Sequence, residues 1–239
     1  MSKRHLPETE IANLAFLPTD QKRIRLEAFI KPKRPKGSYD PFRFGYPDAV
    51  NLQSPMFPEH KVFSSWEKVR NRVISKCYGD PDLEAMNLAV ARATYDFAKI
   101  RNLSAEPIEV PGVTMVPGHS YRFGAPLLLR SEDIISVAFS DLRRTNGLSV
   151  HGRRVVFSHL HERFRVNFPE FAGIDLEIWR YSNCDSRQIV PIKYRNEPIY
   201  EYKALSDDMK ETYDILDKIL DGYNVNQKNI SDLPLFRSA

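Results

Sequence analysis

Proline placement constrains this chain more than any other feature of its sequence. Eight of its seventeen prolines fall within the first 60 residues, at positions 7, 18, 32, 35, 41, 47, 55 and 58. Proline lacks a backbone N–H and its ring clashes with the preceding helical turn, so this density disfavours helix. Tyr39, Phe42, Phe44, Tyr46 and Phe57 are interleaved with these prolines, and residues 22–36 carry seven Lys/Arg against the single acid Glu27. Residues 1–62 therefore read as an extended, basic, aromatic-rich arm. Such an arm suits docking on a protein partner or a second copy of the chain, or stacking on the bases of a nucleic acid.

After the arm the sequence reads as one globular domain, residues 63–222, and a tail, residues 223–239. A hydrophobic fraction of 42% with 28% charged residues is enough to bury a core, which excludes wholesale disorder. Two cysteines, Cys77 and Cys184, exclude a disulfide framework and a thiolate-rich zinc site. The N-terminus MSKRHLPETE has no apolar signal core and no apolar run is long enough to span a bilayer, so the expectation is a cytoplasmic protein without a membrane partner.

Local signals place the elements of that domain. Ser64-x-x-Glu67 matches a capping box ahead of a helix over 65–77. Asp80-Pro81 supplies a cap and a first-turn proline for a helix to about Arg101, with Leu83, Met86, Val90, Ala93, Tyr95, Phe97 and Ile100 at helical spacing. Prolines punctuate short β-prone pieces over 104–128. Next, SEDIISVAFSDLRRTNG reads as a helix capped by Ser131, with Ile134, Ile135, Ala138, Phe139 and Leu142 on one face and Asn146-Gly147 as its stop. Ser149 opens a second helix to about Val166, with Val156, Leu160 and Phe164 as its apolar stripe. IDLEIWRY (174–181) and RQIVPIKY (187–194) read as a hairpin, PIYEYKAL (198–205) as a third β-prone run, and 206–222 as a last helix. The predicted class is α+β: an extended N-terminal arm, a helical layer, a helix–turn–helix followed by a small antiparallel sheet, and a C-terminal helix.

A net charge of +4 and a pI near 9.0 fit a polyanionic partner. On a helix from Val150, residues Arg154, Ser158, His161 and Arg165 form a stripe opposite Val156, Leu160 and Phe164. It is either a solvated basic face or a phosphate reader. Helix, turn, helix and hairpin follow one another as in a winged helix, whose second helix enters the major groove. Arg143, Arg144 and Arg153 would extend the contact, and Arg180, Arg187, Lys193 and Arg195 would form a basic wing. Through Leu142 and Gly147-Leu148-Ser149 the segment resembles helix-turn-helix regulators over about 20 residues, a resemblance that implies DNA binding.

Two further readings stand beside this one. Asp175 on a strand and Glu201-x-Lys203 on a later strand resemble the site of PD-(D/E)xK nucleases. That resemblance implies two carboxylates holding Mg²⁺ and a lysine orienting water; otherwise no cofactor is expected. Alternation on a strand would put Glu201 and Lys203 on one face. The third reading is a non-enzymatic subunit docked on a larger assembly through residues 1–62. His159 and His161 lie about 200° apart on a helix and cannot share a metal. No glycine-rich phosphate loop, nucleophile elbow or C-x-x-C pair occurs.

Overall fold

The computed structural model describes residues 6–30, 38–52, 63–116, 119–132 and 134–231. Five helices lead: α1 (Glu8–Leu14), α2 (Thr19–Ile30), α3 (Asp40–Ala49), α4 (Trp66–Ile74) and α5 (Pro81–Ile100). Five strands follow: β1 (Ser104–Pro107), β2 (Val113–Val116), β3 (His119–Tyr121), β4 (Leu127–Ser131) and β5 (Ile134–Asp141). Helix α6 (Val150–Leu160) runs on into a π-helical turn, His161–Val166. Then come β6 (Asp175–Tyr181), β7 (Ile189–Lys193) and α7 (Tyr202–Ser231).

The expected helix after Ser131 is strand β5, and it lies at the centre of a five-stranded sheet ordered β1-β4-β5-β6-β7. Neighbours are antiparallel except β5 and β6, which run parallel and are joined by α6 as a crossover. Alternate strand residues enter opposite cores. Leu128, Val137, Phe139, Leu176 and Ile178 pack with Ile11, Leu26, Val156 and Leu216. Leu127, Leu129, Ala138, Trp179 and Tyr181 pack with Phe42, Val73, Val90 and Ala98. The sheet is thus covered by α1, α2, α6 and α7 on one face and by α3–α5 on the other. A strand buried on both faces is apolar at consecutive positions, a pattern that a short buried helix can mimic.

The α+β class therefore holds in coarse form, but the helix–turn–helix and winged arrangement do not form, and the sheet is mixed rather than small and antiparallel. The hairpin β6–β7 is present, with Tyr181 opposite Ile189 and Glu177 opposite Lys193. The third β-prone run is not a strand; Tyr202 already begins α7, whose helix runs on into the expected tail.

The N-terminal arm is corrected most. Its described parts are three helices, not an extended segment, because its prolines mark helix starts. Pro7 caps α1, Pro18 precedes α2 and Pro41 lies in the first turn of α3, where no intrahelical N–H bond is lost. Pro47 alone of the described prolines in this region sits inside a helix, α3. Prolines 32, 35, 55 and 58 lie outside the described residues.

Elsewhere the caps form. Asp80 accepts from the N–H groups of Asp82 and Leu83 at 3.0 Å. Ser65, one residue after the serine expected, accepts from Lys68 at 3.3 Å. Ser149 caps α6 through Gly152 N–H at 2.9 Å. A Cβ on Gly152 would meet Asn13 Oδ1 at 2.4 Å, so this glycine lets α1 close on α6. No helix among the described residues is long and apolar enough to cross a membrane.

Helix α2 is tied to α7 by one buried cation. Lys22 is fully buried, with its Nζ 2.6 Å from Asp208 and 2.7 Å from Glu211. Removing one member of a buried ion pair leaves the other desolvated and uncompensated. Lys22→Ala is expected to lower unfolding free energy by about 3–5 kcal/mol in urea titrations, and Lys22→Met with Asp208→Leu to recover part of that loss.

Candidate functional site

The basic stripe of α6 is not an open face. The segment between β7 and α7 crosses it. Arg154 lies over the Tyr200 ring, 4.0 Å from its centroid, and its Nε donates to Pro198 O. Ser158 is buried, donating to Arg154 O and accepting from Tyr200 N–H. Arg165 donates to Ile174 O at 2.9 Å and faces Tyr194. His161 is half-buried, and desolvation lowers its pKa.

The other predicted contacts are scattered. Arg143 pairs with Glu10 at 3.2 Å and Arg144 with Asp185 at 3.4 Å. Lys193 lies 3.8 Å from Asp175 and 3.9 Å from Glu177. Arg153 is half-buried, Arg180 and Arg195 are exposed, and Arg187 is buried.

The nuclease geometry loses its premise as well. Glu201 immediately precedes α7 and Lys203 lies in its first turn, so strand alternation does not align them. Among the described residues no group of three His, Cys, Asp or Glu side chains could hold a metal ion.

What the fold does build is a cleft of about 670 Å³ at the carboxyl end of β5, between the start of α1, helix α3 and the loop 122–125. Its apolar lining is Phe42, Tyr46, Phe139 and Leu142, all buried. Arg43, Arg122 and Arg143 line it with the single carboxylate Glu8. Open α/β sheets hold their ligands outside the carboxyl ends of parallel strands, and this cleft has that position beside β5.

Two buried guanidiniums fix its walls. Arg163, in the π-helical turn, donates to five backbone carbonyls. Its Nη1 reaches Arg122, Phe123 and Gly124 at 3.0, 2.9 and 2.9 Å. Its Nε and Nη2 reach Pro111 and Val110, each at 3.1 Å. Burial lowers its pKa to about 10. Gly124 has φ +81°, and a Cβ there would come within 3.0 Å of Ala138 O, so the loop can take no other residue without strain.

On the opposite wall Arg187 donates to Leu142 O at 3.0 Å and to the Tyr39 hydroxyl at 3.3 Å. The expected wing cation is therefore a brace behind the cleft. Sequence reasoning missed Arg43, Arg122 and Arg163. For Arg163 a signal existed, since it stands three residues after Leu160 and seven after Val156, on the buried side of the helix.

With this geometry in hand, the comparisons decide the family. A family model described as the sliding clamp-binding bacterial toxin SocB matches residues 9–224. The chain belongs to the SocB family. A curated SocB relative, the DNA replication inhibitor toxin SocB of Caulobacter vibrioides (strain NA1000 / CB15N), is 25% identical over 223 residues, 92% of this chain and 92% of that protein. No solved structure matches the chain. The SocB family is described by its binding of a protein, the sliding clamp, which overturns the expectation of direct nucleic-acid binding. The intramolecular contacts that already occupy Arg154, Ser158 and Arg165 are the physical reason that expectation misled.

The SocB-family fold also carries a titratable group whose effect can be measured. His159 stacks on Phe123 at 4.1 Å and is buried, and neither ring nitrogen has a hydrogen-bond partner among the described residues. Burial pushes its pKa from 6.5 down to about 3. A histidine lowered in this way stabilises the fold above its unfolded pKa, and the stability is lost as pH falls from there towards the folded value. Urea unfolding at pH 7 and pH 4.5 should show about 2–3 kcal/mol of loss assignable to this residue and absent in His159→Phe.

Proposed function

We propose that this chain binds a bacterial sliding clamp and inhibits DNA replication through that contact. The observation that carries the reading is the span of the family match, residues 9–224, which takes in elements of both helical layers and all the strands. The relative named as a replication inhibitor aligns over nearly its whole length.

Within the N-terminal region we assign docking to residues 53–62. Helices α1–α3 are committed to the protein's own core, through Leu6, Ile11, Leu26, Phe42 and Ala49. Leu52 is bridged to Ala105 at the edge of β1, and Phe63 meets the Tyr95 ring at 5.4 Å, so both ends of the stretch are anchored. Its sequence, Gln53-Ser54-Pro55-Met56-Phe57-Pro58, sets an apolar pair between two prolines. A short peptide binds a protein groove through such adjacent anchors, and proline reduces the entropy lost on ordering it.

Surface plasmon resonance on immobilised clamp tests this. Met56→Ala with Phe57→Ala is expected to weaken binding about 30-fold or more, the scale of a two-anchor hot spot, without lowering the melting temperature. Leu235→Ala with Phe236→Ala, which removes the apolar pair of the C-terminal Leu-Pro-Leu-Phe, is expected to leave affinity unchanged. The reverse pattern would move the docking segment to the C-terminus. No measurable binding of the unmodified chain would overturn the clamp reading itself.

A further inference from the structure

We propose that the cleft at the carboxyl end of β5 binds a small phosphorylated ligand with a flat aromatic part, of the mononucleotide class. This goes beyond the clamp reading and does not rest on it.

The size fits. About 670 Å³ lies within the roughly 300–1,000 Å³ range of small-molecule sites. The lining combines aromatic surface, from Tyr39, Phe42, Tyr46 and Phe139, with three guanidiniums and one carboxylate. Aromatic faces take a planar ring, and the arginine fork takes two phosphate oxygens at once.

The electrostatics favour an anion. Arg43, Arg122 and Arg143 line the cleft against the one carboxylate Glu8, and Arg187 adds a buried cation behind Tyr39 and Leu142. A concave site with an excess of one sign and low-dielectric walls focuses its field on the opening. Arg43 is held by the exposed Asp40 at 2.9 Å and Arg143 by the part-exposed Glu10 at 3.2 Å. Such solvent-exposed pairs are weak and can exchange a carboxylate for a phosphate. Arg122 takes part in none of the ion pairs among the described residues.

The walls are preorganised. Arg163 gathers the carbonyls of residues 122–124 onto one guanidinium, which holds the backbone that carries the Arg122 side chain. Tyr181, on the neighbouring strand β6, meets Thr94 Oγ1 at 2.7 Å, and the Tyr46 ring packs 6.4 Å from that of Trp179. Burial raises both phenol pKa values, Tyr181 to about 12, so neither adds negative charge that would repel an anion.

Isothermal titration calorimetry on the full chain tests the proposal, with adenosine and guanosine monophosphates as probes and adenosine and inorganic phosphate as fragments. At least one nucleotide is expected to bind, with each fragment at least tenfold weaker. Arg122→Glu, a change of an exposed side chain, should weaken nucleotide binding at least tenfold at an unchanged melting temperature. No heat from either nucleotide at millimolar concentration would overturn the proposal. So would an affinity that Arg122→Glu leaves intact, or one that inorganic phosphate alone matches.

Discussion

The parallel pairing of β5 with β6 is the constraint on which the rest of this structure depends. Ser136 through Asp141 lie opposite Asp175 through Arg180 in unbroken register. Parallel strands cannot be joined by a tight turn, so the chain between them must cross a face of the sheet, and α6 with its π-helical turn does so. Once α6 covers that face and α3–α5 the other, both sides of the central strands are dry. Any polar side chain among them must then find a partner. Glu177 is the clearest case: fully buried, it takes both arms of Arg101 at 2.9 and 3.1 Å and the indole N–H of Trp179 at 2.7 Å. The same pairing leaves the carboxyl end of β5 as the place where the layers part and the cleft opens.

Buried cations then join segments that the strand ladder does not reach. Lys22 joins α2 to α7 through two carboxylates, a conventional pair in which the charges offset one another. Arg163 works differently, with its hydrogen bonds going to carbonyl dipoles from two separate loops. A guanidinium can do this because its five N–H groups spread in a plane, whereas an ammonium offers three from a single point. Arg187 repeats the device on the opposite wall. Both of these arginine braces stand at the walls of the cleft.

Signals that act over one or two helical turns were legible in the chain. Asp80-Pro81, the periodic run from Leu83 to Ile100, the Ser149 cap and the Val156–Leu160–Phe164 stripe all lead to the elements they announce, because capping and helical periodicity are settled by near neighbours. The hairpin of β6 and β7 was legible for the same reason. The candidate site was legible only in fragments. Arg143 and Arg187 stood out as cations, yet a charge count does not say whether a cation meets solvent, a carboxylate or a cleft.

What the sequence by itself determined is the mixed α+β character, the starts of α4, α5 and α6, and the apolar residues available for a core. Tertiary structure alone decided that Ile134–Asp141 is a strand, since an apolar run is compatible with either period until a neighbour supplies hydrogen bonds. It decided that the N-terminal prolines begin helices, because only packing against other elements, α1 on α6, α2 on α7 and α3 on α4 and α5, makes such short helices stable. It also decided that the stripe of Arg154, Ser158 and Arg165 is covered. Their partners, Pro198, Tyr200, Tyr194 and Ile174, belong to other segments, brought close by the crossover and the hairpin and not by sequence neighbourhood.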